Sequence, residues 1–137
     1  MQEDKLSIVV VEDNHYDRHL IRECLEDADM EVDLVELEDG EAAIQFFQQS
    51  SGNDFDIVLL DIKLPRKSGY QVLSAIRERH GISSKPVIIM TAFEPPVPVV
   101  RQKHQADIFW NKPDDLQEFY QLSTIIKNLL QKRPTHG

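Results

Sequence analysis

The sequence predicts an α/β fold in which a doubly wound, five-stranded parallel sheet is covered by helices on both faces. Three observations carry that prediction. Short apolar runs alternate with segments of helical periodicity from end to end, the pattern left by successive βαβ units. The runs Ile8-Val9-Val10-Val11, Ile57-Val58-Leu59-Leu60 and Val87-Ile88-Ile89-Met90 are apolar at every position, as strands buried on both faces must be. Each run then ends in a polar residue, at Glu12-Asp13, Asp61 and Thr91, which implies a shared site. Ligands of open α/β sheets bind outside the carboxyl ends of the strands, where the strand order reverses.

The first strand covers Leu6 to Val11, and the helix after it starts near Asn14, a good N-cap, with Leu20, Ile21, Leu25 and Ala28 on one face. Val32 to Leu37 carries charges at Asp33 and Glu36, which suits an edge strand. Asp39-Gly40 opens a second helix whose Ala42, Ala43, Phe46 and Phe47 face inward. Ser51-Gly52-Asn53-Asp54 is a loop ahead of the strand that ends in Asp61, and Ser68-Gly69 starts a helix carrying Val72, Leu73 and Ile76. Ser83-Ser84-Lys85-Pro86 leads into the fourth strand, and Ile108-Phe109-Trp110 forms a short fifth. A last helix, roughly 114–131, shows Leu116, Phe119, Leu122, Ile126 and Leu129 at helical spacing. Five strands and five helices of this kind suit the flavodoxin-like order 2-1-3-4-5, because right-handed crossovers let the sheet reverse direction beside its first strand.

With 137 residues the chain suits one domain, 1–137, with a core of about 6–131, and no output domain is expected. Its 24 acidic and 15 basic side chains leave a formal charge of -9, which argues against a nucleic-acid backbone or an anionic membrane as direct partner and for proteins instead. Cys24, the single cysteine, reads as a small core residue among Leu20, Ile21, Leu25 and Ala28 rather than a reactive thiol. The start, Met1-Gln2-Glu3-Asp4-Lys5, lacks the features of a signal peptide, and no apolar run approaches the ~18 residues that span a bilayer. A cytoplasmic protein is expected.

In the order 2-1-3-4-5 the first and third strands are neighbours, so Glu12, Asp13 and Asp61 meet at the switch point. Two carboxylates ~4 Å apart repel by roughly 4 kcal/mol at an effective dielectric of 20, so something cationic must sit there. Oxygen ligands with open positions for water and phosphate favour Mg²⁺ over Ca²⁺. His15 and His19, four apart on a helix, raise a zinc alternative, but no Cys or second convergent cluster accompanies them, and a solvated helix face explains them. The fifth strand adds Asn111-Lys112-Pro113 at its tip. A carboxylate flanked by an ammonium, a hydroxyl and a divalent cation can act as nucleophile in phosphoryl transfer, with Asp61 in that role.

Glu12-Asp13 after the first strand, Asp61 with Pro65 and Gly69 at the spacing D-x-x-x-P-x-x-x-G, Thr91-Ala92 after the fourth strand and Lys112-Pro113 after the fifth resemble the receiver domain of two-component response regulators. The overall form is similar to single-domain, chemotaxis-type regulators. The Val-Glu-Asp-Asn start and the Glu-Asp-Gly-Glu-Ala-Ala stretch look more like the small regulators paired with phytochrome-type histidine kinases. The resemblance implies a phosphorelay protein in which Asp61 accepts a phosphoryl group from a kinase or phosphotransfer-protein phosphohistidine. It implies that Asp13, Asp61 and the backbone carbonyl of Lys63 bind Mg²⁺ or Mn²⁺, with Glu12 acting through water. Lys112, the Thr91 hydroxyl and the Ala92 backbone amide would hold phosphoryl oxygens, and a cis Lys112-Pro113 bond is expected. Lys63 and Phe93 lie where the family tunes dephosphorylation. Phe109, three residues before Lys112, falls at the switch-aromatic position and with Thr91 would couple phosphorylation to protein contacts or a homodimer through the face formed by the fourth helix, fifth strand and fifth helix.

The pattern is departed from at Glu94-Pro95-Pro96-Val97-Pro98, where three prolines stand at the expected start of the fourth helix, and at Gln105-Ala106, which lacks the Gly often found at its end. That helix is expected to start late and be short. Val97, Val99 and Val100 read equally as an exposed apolar strip or as core valines, and a Pro-x-x-Pro ligand reading is weaker than this local explanation. The function so implied is a phosphoacceptor switch that catalyses its own phosphorylation and hydrolysis. Other readings are an adaptor that keeps the fold without being phosphorylated, a haloacid-dehalogenase-type phosphatase, disfavoured because Lys63 stands where a second Asp is needed, and a flavin protein, disfavoured by the acidic tips. A nucleotide switch would need G-x-x-x-x-G-K-[ST], which is absent.

Overall fold

A computed structural model describes residues 5–92 and 106–131. In chain order the elements are β1 (Leu6–Val11), α1 (His15–Asp27), β2 (Val32–Leu37), α2 (Gly40–Gln48), β3 (Ile57–Asp61), α3 (Gly69–Glu78), β4 (Val87–Thr91), β5 (Ile108–Asn111), α4 (Leu116–Phe119) and α5 (Gln121–Gln131). The strands form one sheet in the order β2-β1-β3-β4-β5, every neighbouring pair parallel. This is the expected flavodoxin-like order. The expected fourth helix, Phe93, the three prolines and Val97, Val99 and Val100 lie outside the described residues.

Alternation along the strands divides the core in two. Ile8 and Val10, Ile57 and Leu59, and Ile88 and Met90 pack with Leu20, Ile21, Cys24 and Leu25 of α1, Phe119, and Leu122 and Ile126 of α5. Val9 and Val11, Val58 and Leu60, and Val87 and Ile89 pack on the other face with Ala43 and Phe47 of α2 and Val72, Leu73 and Ile76 of α3. Continuously apolar strands are therefore required at β1, β3 and β4. β2 and β5 are the sheet's outer strands, and β2 is correspondingly only half-buried.

The C-terminal helical stretch differs from the expected single helix. Asp115 caps α4 by accepting from the Gln117 N–H, and at Tyr120 the backbone N–H bonds back to the carbonyl of Gln117, a tighter turn that separates α4 from α5. Phe119, Leu122 and Ile126 are buried as the spacing predicts, but Leu116 is 42% exposed because it occupies the first helical position, beside the cap. Cys24 is buried with its Sγ 3.6 Å from the Phe119 carbonyl, and burial pushes its thiol pKa up, as suits a packing role. The Lys112-Pro113 bond is trans, contrary to expectation; trans is the lower-energy form of an X-Pro bond. No described helix is long and apolar enough to cross a membrane.

Candidate phosphoacceptor site

Parallel registers align the carboxyl ends of four strands on one rim. Val11 of β1 pairs with Leu60 of β3, Asp61 with Met90 of β4, and Thr91 with Asn111 of β5. Glu12, Asp61, Thr91 and Lys112 thus stand at successive tips. Asp61 falls in the same pleat phase as Ile57 and Leu59 and so projects toward the α1 side. Thr91 and Phe109 fall in the opposite phase with Ile89, and Phe109, half-buried, packs against the α2–α3 core.

The acids converge. Glu12, Asp13 and Asp61 each offer a carboxylate oxygen within 4.8 Å of the other two, the one such metal-ready group among the described residues. Glu12 and Asp61 are buried, and Asp13 is exposed. The histidine alternative is not assembled: His15 Nδ1 lies 2.7 Å from Arg18 Nη2, and His19 pairs with Glu23.

Lys112 supplies the cation. Its Nζ donates to Glu12 Oε1 at 2.7 Å, to Asp17 Oδ2 at 2.8 Å and to Asp61 Oδ2 at 3.3 Å. Its backbone N–H donates to the Thr91 carbonyl at 2.7 Å, anchoring it to the end of β4. Burial alone would lower the ammonium's pKa, but the hydrogen bonds to Asp17 and Glu12 and the charges of Glu12 and Asp61 outweigh it, so the net shift is upward. Burial pushes the Glu12 carboxyl up to about 7; the Lys112 hydrogen bond opposes this and the charge of Asp61 adds to it. One ammonium does not fully compensate these acids, so the donor set fits a hard divalent cation.

The loops are held by close contacts. The Asn14 side chain caps α1 through the Asp17 N–H at 2.9 Å, and the Asn14 N–H donates to Glu12 Oε2, so the helix begins directly behind the acid pair. After Asp61, the exposed Lys63 donates its backbone N–H to Asp61 Oδ1 at 3.2 Å. A Cβ at Gly69 would lie 2.2 Å from the Asp61 carbonyl oxygen, which is why the D-x-x-x-P-x-x-x-G run ends in glycine. Gly40, at the start of α2, donates to the Pro65 carbonyl, and a Cβ there would lie 2.0 Å from the Lys67 carbonyl oxygen. Ser68 and Gln71 then form a capping box for α3. Ala92, exposed, follows Thr91 at a bend.

Two residues at the site escaped the sequence reading. Asp17 is a Lys112 partner, and an acid in a first helical turn is too common to mark it in sequence. Arg18 is buried, donating Nη1 to the Glu12 carbonyl at 2.6 Å and Nε to Glu36 at 3.1 Å. Nothing in its sequence context distinguishes it from a surface arginine.

The chain is similar to known proteins in both sequence and fold. The family model of the response regulator receiver domain matches residues 8–123. The response regulator Rcp1 of Synechocystis sp. is 34% identical over 88 residues, which cover 61% of this chain and 60% of Rcp1, so the chain spans less than two thirds of that relative. Among solved structures, the phosphorylated cyanobacterial phytochrome response regulator RcpA matches with a TM-score of 0.82 and 25% identity over 96% of this chain and 97% of that one. The Mn²⁺-bound form of Rcp1 matches with a TM-score of 0.80 and 25% identity over 96% of this chain and 99% of that one. These are relatives of the kind that the Val-Glu-Asp-Asn and Glu-Asp-Gly-Glu-Ala-Ala stretches point to. The chain belongs to the family of response regulator receiver domains, the signalling switches of two-component systems.

Proposed function

We propose that the chain is a phosphorelay response regulator, working in the cytoplasm, that accepts a phosphoryl group on Asp61 from the phosphohistidine of a sensor kinase or phosphotransfer protein. One observation carries this reading: a buried aspartate at a strand tip, with a lysine ammonium 3.3 Å from its Oδ2, inside a cluster of three carboxylates. A carboxylate oxygen of Asp61 attacks phosphorus, the P–N bond breaks, and the histidine nitrogen leaves with the electron pair. Glu12, Asp13, Asp61 and the Lys63 carbonyl would hold Mg²⁺ or Mn²⁺, which when bound offsets the negative charge of the transferring group. Mn²⁺ in the related Rcp1 supports that choice of cation class.

Lys112 exchanges its contact with Asp61 for one with a phosphoryl oxygen. The Thr91 hydroxyl and the Ala92 amide take the others, and hydrolysis by water returns Asp61 and phosphate. Thr91 moving toward the phosphoryl group opens space for Phe109, which shares its pleat phase, and that two-position ring alters the face around β5 and α5 that meets a downstream protein or a second copy. Incubation with acetyl phosphate and Mg²⁺ should add the mass of one phosphoryl group, and Asp61→Ala should abolish the gain. No gain with several donors and a competent kinase would leave a phosphorylation-independent adaptor.

A further inference from the structure

The resting partners of Lys112 are unequal. Its ammonium lies 2.7 Å from Glu12 and 2.8 Å from Asp17, yet 3.3 Å from Asp61, the group it must serve during transfer. Asp17 is not on a strand tip. It lies in the first turn of α1, where the Asn14 cap fixes its backbone relative to Glu12-Asp13. Its carboxylate, one-fifth exposed, draws the ammonium toward α1 and is a third acid on the lysine that also contacts Glu12 and Asp61, two of the three carboxylates that converge at the strand tips. Resting on the phosphoacceptor reading, we propose that Asp17 is a positioning residue that holds the Lys112 ammonium on the α1 side of the site, and so sets both divalent-cation affinity and the rate at which Asp61 takes a phosphoryl group.

The two effects have opposite signs. A negative charge paired with the ammonium reduces the positive potential that Lys112 presents to the three carboxylates, and so strengthens cation binding. The same charge repels an anionic phosphodonor and competes for the ammonium that would compensate the transferring group. Neutralising Asp17 while keeping its shape should therefore weaken the metal and quicken the chemistry.

The test compares wild type, Asp17→Asn and Asp17→Glu by Mn²⁺ titration calorimetry and by the rate of mass gain from acetyl phosphate at saturating Mg²⁺. Asp17→Asn should bind Mn²⁺ about three- to tenfold more weakly and be phosphorylated about threefold faster, with Asp17→Glu close to wild type in both. General damage to the fold would lower both quantities together. Loss of both in Asp17→Asn, or no change in either, overturns the proposal while wild type is still phosphorylated on Asp61. A wild-type chain that takes up no phosphoryl group overturns the phosphoacceptor reading, and this proposal with it.

Discussion

The α2–α3 face of the sheet and the carboxyl rim are built from the same strands by opposite means. On the face, Val58, Leu60 and Ile89 meet Ala43, Phe47, Leu73 and Ile76, all buried and all hydrocarbon, and Phe47 packs edge-on against Phe46 and Phe55. On the rim, at the tips of the same strands, the buried groups Glu12 and Asp61 are carboxyls, held by Lys112, by Arg18 at the Glu12 carbonyl, and by the backbone N–H groups of Asn14 and Lys63. A dry face stabilises through volume, and like can replace like. A buried rim of charge depends on the count and placement of partners.

The largest effect should come from the face. Phe47→Ala removes a ring that touches two others and should destabilise the chain by about 3–5 kcal/mol in urea unfolding. The contacts among Glu12, Asp61 and Lys112 lie on the far side of β3 from Phe47, so any folded fraction should still be phosphorylated at the wild-type rate. A rate that falls with stability would show the two regions to be coupled.

A pair of shape-preserving changes sharpens the contrast. Leu73→Met keeps volume in a hydrocarbon setting and should cost less than about 1.5 kcal/mol. Arg18→Met also keeps length, but it strips the Glu12 carbonyl of its donor and leaves Glu38 and part of Glu36 unpaired, so about 3 kcal/mol is expected. Equal losses would break the distinction.

How much of this was legible depends on what the sequence pattern encodes. Strand tips are marked by the end of an apolar run, so Glu12, Asp13, Asp61, Thr91 and Lys112 could be placed on one rim without coordinates. Asp17 and Arg18 could not, because their roles depend on how α1 is rotated against the sheet; Asp17 meets a lysine 95 positions away. Periodicity also assigned Leu116 inward, since an apolar residue beside a cap looks the same in sequence as one a turn later. The break at Tyr120 left no mark either, because no Gly or Pro lies between Leu116 and Gln131.

The rim should also respond to pH where the face does not. Glu12 has its folded pKa raised from 4.5 to about 7, so its contribution to stability is full below 4.5 and is lost as pH rises through 7. Lys112, shifted upward, keeps its charge throughout that window. In metal-free buffer Glu12→Gln should therefore gain on wild type by about 3 kcal/mol between pH 4.5 and 8, read from paired urea melts. Saturating Mg²⁺ at pH 8 should shrink the gap, because an ionised Glu12 then has a second cation to face.

The smallest effect is expected where charge lies in water. Lys5 and Asp33 form an ion pair at 3.3 Å at the start of β1 and β2, with both side chains at least half exposed. Solvent screens the pair, and ordering two flexible side chains offsets what attraction remains, so Asp33→Asn should shift stability by less than about 0.5 kcal/mol. Lys112 forms contacts of the same chemical kind at 2.7 Å and 2.8 Å with little exposure. If added salt and Asp33→Asn moved the melting curve as far as Arg18→Met, burial would not be what separates the rim from the rest of the surface. The charges of the β2 edge would then belong to the same network through Glu36, which binds both Arg18 and the exposed Arg22.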